Sequence, residues 1–219
     1  MTKKEVIAVL SVITNFGCDT GCKYCIWRNH VLSKYKTTYE NMNWNYLKSE
    51  ILHTSKDRIS ISGGGDPLYQ YELNDKWWNT MFTICKITNT KIDLHTSKML
   101  KDVNMIKMFN KYVLHINYNI YKNNQEYIKW LSKNIQLRIV FVVTDELLEF
   151  KIYEIEKFCK RIKIQLSFRQ LVLNNNLQHI LEDVLDKQGT YWKYIKQADY
   201  NVYFMPNNKI YKEYLITEE

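Results

Sequence analysis

Residue types that mark several classes of protein are scarce in this sequence. Only two prolines and six glycines occur among 219 residues, which excludes collagen-like and proline-rich low-complexity chains. No apolar run is long enough to cross a bilayer. We therefore predict a protein without a membrane partner, and any place where the few glycines cluster becomes informative.

The number and placement of the cysteines do not suit a disulfide framework, because their number is odd. There are five, and Cys85 and Cys159 each lie alone within a helical pattern. The apolar run near the amino terminus is rich in β-branched residues and lacks a small-residue cleavage site, so it predicts a first strand and not a signal peptide. A reducing, cytoplasmic location is expected.

The residues that are abundant predict a globular protein. Hydrophobic residues make up 46% and aromatic residues 14% of the chain, enough for a sizeable core. The net charge of +8 would favour an anionic partner such as nucleic acid. The lysines are spread along the chain, however, and a solvated lysine-rich surface explains them at least as well.

Strand patterns and helix patterns alternate along most of the chain. Six strands are predicted, at residues 6–14, from Arg58, from Lys91, from Val113, from Leu137 and from Ile162. Helices are predicted between them at residues 44–53, 75–88, 103–111, 125–133 and 147–161. This alternation is typical of a parallel sheet with right-handed crossovers.

Six βα units are too few to close an eight-stranded barrel. We therefore predict an α/β protein with a partial (β/α)6 TIM-like barrel, formed by residues 1–170. Residues 171–219 are predicted as an extension with a helix at residues 174–188 and a hairpin around Pro206. Ligands of such folds lie at the carboxyl ends of the strands, where Cys18–Cys25 and Gly63–Asp66 are found.

Three cysteines follow the first predicted strand with the spacing C-x3-C-x2-C, at Cys18, Cys22 and Cys25. A structural zinc site needs four ligands, usually as two separated pairs, and no second pair is present. Three thiolates suit a [4Fe-4S] cluster that keeps one iron open to a small molecule. Gly17 and Gly21 would let the backbone wrap around such a cluster.

This motif resembles that of the radical S-adenosylmethionine superfamily, which commonly has an aromatic residue before the last cysteine, here Tyr24. The resemblance implies that Cys18, Cys22 and Cys25 hold the cluster and that Tyr24 offers its backbone to adenine. It implies oxygen-sensitive chemistry in which S-adenosylmethionine is cleaved reductively to a 5′-deoxyadenosyl radical, which abstracts hydrogen from a substrate. An electron donor such as flavodoxin or ferredoxin would then be a partner.

A second match to the superfamily follows the second strand, in the sequence SGGGDP. Gly64, Gly65, Asp66 and Pro67 resemble the family's G-G-E-P motif, with Asp in place of Glu. The resemblance implies that Gly64, Gly65 and Asp66 hold the methionyl amino group. Without the cysteines, an ordinary glycine turn before a helix would be the better interpretation.

The resemblance extends weakly to the glycyl-radical activating enzymes. It implies that Asn117 contacts the S-adenosylmethionine ribose, whereas Asn119 cannot replace the lysine of that branch. Arg138 and Arg169 are candidates to bind the carboxylate of S-adenosylmethionine, although a structural salt bridge is an alternative for both. The sequence His95-Thr96-Ser97 agrees with that branch at one position only, and no role follows from it.

The substrate cannot be read from these motifs. A glycyl-radical activating enzyme, a 7-carboxy-7-deazaguanine synthase, a nucleotide- or nucleic-acid-modifying enzyme and a peptide-modifying enzyme all remain open. The 7-carboxy-7-deazaguanine synthases usually have Asp-Thr after the last cysteine. This chain has Ile26-Trp27 there, which makes that alternative less favoured. Outside enzymology, the alternative is a module in which the three thiols hold zinc or a labile cluster for redox sensing.

Overall fold

The computed structural model describes residues 9–22, 25, 34–54, 57–170, 181–196 and 201–212. They fall into two compact units. The first unit comprises the described residues within Met1–Lys98, Met108–Asn110 and Asp199–Glu219. The second unit comprises those within Met99–Lys107 and Lys111–Ala198.

Strands and helices alternate through most of the chain. The strands are β1 (Val9–Thr14), β2 (Arg58–Gly63), β3 (Lys91–Thr96), β4 (Lys111–His115), β5 (Gln136–Val142), β6 (Gln165–Arg169), β7 (Lys193–Ile195), β8 (Asn201–Phe204) and β9 (Ile210–Tyr211). The helices are α1 (Trp44–Thr54), α2 (Asp75–Ile87), α3 (Val103–Ile106), α4 (Tyr118–Asn123), α5 (Gln125–Asn134), α6 (Glu149–Ile162) and α7 (Glu182–Leu185). A 3-10 turn at Tyr71–Asn74 leads into α2.

The first unit is built on a sheet with the strand order β3-β2-β1-β8-β9. β1 is parallel to both β2 and β8, and β9 is antiparallel to β8. Val12 lies opposite Ile61 on one side and Phe204 on the other, and all three are at most 1% exposed. A strand buried in this way explains the continuous apolar run of β1.

The second unit has a parallel sheet with the order β7-β6-β5-β4. Ile139 and Phe141 of β5 and Leu166 and Phe168 of β6 lie on one face of this sheet, and all four are buried. Phe141 of β5 and Phe158 of α6 both contact the ring of Tyr121 in α4, at 5.9 and 5.3 Å between centroids. The apolar face is therefore covered by helices of the same unit.

All six predicted strands are present. The fourth is shorter than predicted, because the Asn117 side chain accepts a hydrogen bond from the Ile120 N–H and caps a new helix, α4. The helix predicted at residues 103–111 is a single turn, α3. The short β7 was not predicted.

The hairpin predicted around Pro206 is confirmed as β8 and β9. Within the part of the chain that the structure describes, β9 pairs with β8 alone and β7 with β6 alone, so these pairings close no ring. An incomplete barrel and a domain boundary at residue 170 stay predictions. Residues 171–180 of the predicted last helix lie outside the described residues, and the described remainder contains one helical turn, α7.

Across the described ranges, no helix combines the length and the apolar character that a membrane span requires.

Candidate functional site

Two loops meet where β1 and β2 end. Thr14 and Gly63 are opposite each other in the parallel pair, so both strands release their following loops at the same edge. The Thr14 carbonyl accepts hydrogen bonds from Gly64 N at 2.6 Å and Gly65 N at 3.4 Å. The Gly17 carbonyl accepts from Asp66 N at 2.8 Å. The described residues 16–22 and 25, called here the cysteine loop, are thus joined to residues 63–67, the glycine loop.

This close approach requires glycine. A Cβ at Gly65 would lie 2.2 Å from the Gly17 carbonyl oxygen, and one at Gly63 would lie 1.7 Å from the Gly65 carbonyl oxygen. Gly17 has φ +122°, and the ring of Tyr69 packs where its Cβ would be. A side chain at Gly65 would push the two loops apart, whereas one at Gly63 would distort the glycine loop itself and one at Gly17 would displace the Tyr69 ring.

Asp66 fixes the glycine loop to the end of β3. Asp66 is only 3% exposed, and its carboxylate accepts hydrogen bonds from four donors. These are Leu68 N at 2.9 Å, Thr96 Oγ1 at 2.6 Å, Ser97 N at 2.7 Å and Ser97 Oγ at 2.7 Å. The carboxylate is therefore fully engaged by the protein itself.

The hydroxyl of Ser97 extends this network into the cysteine loop. It lies 3.0 Å from the hydroxyl of Thr20, between Cys18 and Cys22. Lys98, the next residue, binds the Asp19 carboxylate of the same loop. This hydrogen bond lowers the pKa of Asp19 below its ordinary value. Sequence reasoning gave Thr96 and Ser97 no role, because their motif matches the related branch at one position only.

The three cysteines of the motif lie in positions that are at least partly accessible to solvent. Cys18 is exposed, and Cys22 and Cys25 are partly buried. The Thr20 N–H donates to Cys18 Sγ at 3.4 Å, and the Cys25 N–H donates to the Cys22 carbonyl at 3.2 Å. Within the residues that the structure describes, no three His, Cys, Asp or Glu side chains are gathered as metal ligands.

The donor set nevertheless fits a [4Fe-4S] cluster. Such clusters are held by cysteine thiolates, and backbone N–H groups that donate to sulfur tune their potential. The loop supplies three accessible thiols together with one N–H already directed at a sulfur. Gly17 and Gly21 both have positive φ, at +122° and +65°, which gives the loop a backbone path open mainly to glycine.

The carboxyl-terminal hairpin contributes to the surroundings of the third cysteine. Ile13 of β1, Tyr203 of β8 and Met205 form a buried cluster, against which Cys25 and Tyr211 pack. Met205 is completely buried. No sequence motif marks these residues, because the contact depends on the pairing of β8 with β1, which local patterns do not reveal.

The two remaining cysteines lie elsewhere. Cys85 and Cys159 are buried in α2 and α6, and burial raises the pKa of each thiol to about 12. Such thiols stay protonated and act as small apolar side chains. They are not candidates for metal ligands.

Three of the residues predicted to bind S-adenosylmethionine lie in the second unit. Asn117 is exposed and caps α4. Arg138 Nε donates to Gln165 Oε1 at 3.0 Å near the start of β5. Arg169 is exposed at the carboxyl end of β6. Tyr24 lies outside the described residues.

Comparison with known proteins adds evidence on the fold. No family model matches the chain, and no curated protein matches it either. Among solved structures, the chain is similar to SuiB of Streptococcus suis bound to S-adenosylmethionine, with 15% identity and a TM-score of 0.64 over 95% of this chain and 61% of that one. The fold of this chain is similar to that of the matched part of SuiB.

Two further SuiB structures agree with this. SuiB bound to the precursor peptide SuiA gives 13% identity and a TM-score of 0.65, over 94% of this chain and 60% of that one. A third SuiB structure gives 14% identity and a TM-score of 0.59, over 88% and 50%. The chain thus spans between half and about three fifths of the length of SuiB.

Proposed function

We propose that this chain is a radical S-adenosylmethionine enzyme. The observation that carries the proposal is the joining of the cysteine loop to the glycine loop at the ends of β1 and β2. The SuiB fold, found with S-adenosylmethionine bound in that protein, supports the same conclusion. A zinc site has no need of the glycine loop that is joined to the cysteine loop.

Cys18, Cys22 and Cys25 are the proposed ligands of a [4Fe-4S] cluster. When bound, the cluster supplies the electron that cleaves S-adenosylmethionine into methionine and a 5′-deoxyadenosyl radical. The three thiols must turn toward a common point to hold it. Gly17 and Gly21 give the loop the freedom to do so, while its Thr20 N–H donates to a sulfur.

The glycine loop is proposed to receive the methionyl amino group. The N–H groups of Gly64, Gly65 and Asp66 already donate to β1 and the cysteine loop. An amino group is a donor, so the backbone carbonyl oxygens of this loop are the partners it needs. Asp66 is proposed to position the loop and not to touch the ligand, because its carboxylate already accepts four hydrogen bonds.

A peptide is the proposed substrate class. The observation that favours it over a nucleotide is the similarity to SuiB in complex with its precursor peptide. An electron donor such as flavodoxin or ferredoxin is a proposed partner, since the chemistry consumes an electron. Contacts of Tyr24, Asn117, Arg138 and Arg169 with S-adenosylmethionine stay predictions.

The test is anaerobic reconstitution of the full chain with iron and sulfide, followed by dithionite and S-adenosylmethionine. We expect about four irons per chain, a paramagnetic reduced cluster whose spectrum changes on addition of S-adenosylmethionine, and release of 5′-deoxyadenosine. Cys22→Ala should lose all three. Cys85→Ala is the matched control, because it removes a buried thiol of α2, and it should retain them.

Two outcomes would refute the proposal. One is a colourless, zinc-loaded protein from anaerobic purification, which would favour a zinc or redox-sensing module. The other is a cluster whose spectrum S-adenosylmethionine leaves unchanged.

A further inference from the structure

The end of β3 is attached to the cysteine loop at two successive residues. Thr20 Oγ1 lies 3.0 Å from Ser97 Oγ, and the Asp19 carboxylate is paired with Lys98. Both loop residues lie between the first two cysteines of the motif. We propose that Thr20, Ser97 and Lys98 are positioning residues that hold this part of the loop in place for the cluster. The inference rests on the proposed function and gives the end of β3 a role that the sequence motifs did not assign.

The direction of the hydrogen bonds follows from the hydrogens available. The Ser97 hydroxyl has a single hydrogen, which it donates to Asp66 Oδ2 at 2.7 Å. The Thr20 hydroxyl is therefore the donor in its bond with Ser97. The Thr20 N–H in turn donates to Cys18 Sγ at 3.4 Å. Hydrogen bonds thus connect the carboxylate of the glycine loop, through Ser97 and Thr20, to the sulfur of a proposed cluster ligand.

The residues at the end of β3 are themselves held firmly. Asp66 and Thr96 are each 3% exposed. The Thr96 hydroxyl donates to Asp66 Oδ1 at 2.6 Å and accepts from the Lys98 N–H at 3.0 Å. The Ser97 N–H donates to Asp66 Oδ2 at 2.7 Å. A supporting group fixed by its own hydrogen bonds can hold the side chains that it contacts in a defined position.

The cysteine loop needs such an attachment because glycines flank this segment. Gly17 precedes and Gly21 follows residues 18–20, and glycine loses more conformational freedom on ordering than any other residue. Cys18 is exposed, so packing restricts its side chain little. The contacts of Asp19 and Thr20 with the end of β3 supply the restriction that packing does not.

Lys98 also balances charge in the loop. Its Nζ lies 5.7 Å from the centre of the Tyr69 ring, which packs where a Cβ of Gly17 would be. Asp19 directly follows Cys18, so its carboxylate would repel the thiolates of a bound cluster unless a cation offset it. A partly exposed ion pair contributes little to stability. Lys98 should therefore affect reduction of the cluster more than it affects unfolding.

The first test compares Thr20→Val, which keeps the shape of the side chain without the hydroxyl, with Thr20→Ser, which keeps the hydroxyl. Each full chain is reconstituted anaerobically with iron and sulfide, and reduction of the cluster is titrated by electron paramagnetic resonance. An N–H directed at sulfur favours the reduced cluster, which has more negative charge. Thr20→Val should make the reduction equilibrium about threefold less favourable, as expected when one weak hydrogen bond is disturbed. Thr20→Ser should restore it.

Two controls accompany this test. Thr83→Val removes an exposed hydroxyl from α2 and should leave reduction unchanged. Lys98→Met should make reduction less favourable, as Thr20→Val does, whereas Lys91→Met removes the same charge from an exposed position at the other end of β3 and should not. Equal effects of Lys98→Met and Lys91→Met would overturn the role of Lys98, because net charge alone would then explain them.

The attachment itself can be tested without a cluster. Thr20→Val and Ser97→Ala are made singly and together in the iron-free full chain, and urea unfolding is measured. Because residues in contact are coupled, the change in the unfolding equilibrium of the double variant should be about threefold smaller than the product of the two single changes. Single changes that simply multiply would show that the two hydroxyls do not interact.

The outcomes separate this inference from the proposed function. The inference is overturned, and the proposed function stands, if the unchanged chain holds a four-iron cluster that Thr20→Val leaves equally easy to reduce. If the unchanged chain holds no cluster, the proposed function fails and the inference fails with it.

Discussion

At residue scale, the Asp66 carboxylate holds the glycine loop to the end of β3 through its four donors. Asp66→Asn keeps the shape of the side chain but replaces one accepting oxygen with an NH2 group. In either orientation that group would face two of the four donors, Leu68 N and Thr96 Oγ1 or the N–H and hydroxyl of Ser97. Each buried donor left unsatisfied costs about 1–3 kcal/mol. We expect the free energy of unfolding, measured with urea, to fall by at least about 2 kcal/mol.

Asp183→Asn provides the comparison, because Asp183 is exposed at the start of α7. This substitution should change the free energy of unfolding by less than about 0.5 kcal/mol. If Asp66→Asn were as stable as Asp183→Asn, the carboxylate would not fix the glycine loop to β3. It would then be open to a ligand.

The sequence revealed Asp66 but not its function. Its place after three glycines matches a known motif, which suggested contact with a ligand. Its actual partners, Thr96 and Ser97, are 30 and 31 residues away and become neighbours only because β3 pairs with β2. Such contacts depend on tertiary structure and leave no local pattern.

At the scale of elements, the joining of the two loops depends on Gly65. Gly65→Ala would place a Cβ 2.2 Å from the Gly17 carbonyl oxygen, and a backbone atom cannot move aside as a side chain can. We expect the hydrogen bond from Asp66 N to Gly17 O to break. The measurement is hydrogen exchange, in which the Asp66 amide should exchange at least tenfold faster while amides of β5 are unaffected.

Gly189→Ala separates crowding from backbone strain. Gly189 has φ +76° with no atom within 4 Å of its Cβ position. Alanine there should cost only the strain of a left-handed conformation, about 1 kcal/mol, and leave the Asp66 amide protected. Equal exchange at Asp66 in both variants would show that the two loops are not joined through Gly65.

Helices and strands could be predicted where their sequence pattern is local. Their ends were predicted wrongly where a single side chain decides where the element stops. The six strands follow from short apolar runs separated by polar segments. β4 ends where Asn117 caps the next helix. The sequence did not reveal this cap, because the strand pattern continues past Asn117. The hairpin was predicted from its turn residues, but its parallel pairing with β1 could not be, because sequence separation gives no sign of the partner strand.

At the scale of the whole molecule, stability should depend on pH through His115. Its imidazole lies at the end of β4, and burial lowers its pKa from an ordinary value of 6.5 to about 3, with Arg169 and Arg138 acting in the same direction. His115 is therefore neutral when folded near pH 5, whereas in the unfolded chain it binds a proton below about pH 6.5. The folded state is favoured above pH 6.5, and that advantage is lost as pH falls toward 3.

The size of this effect is roughly 1.4 kcal/mol for each pH unit below the unfolded pKa. Between pH 7 and pH 5, the free energy of unfolding of the unchanged chain should fall by about 2 kcal/mol more than that of His115→Gln. Urea unfolding at each pH measures this. His53→Gln removes an exposed imidazole of α1 and should show the same pH dependence as the unchanged chain. Parallel stability curves for all three proteins would mean that His115 is protonated in the folded state. The imidazole would then be less buried than the structure places it, since burial is the main cause of its lowered pKa.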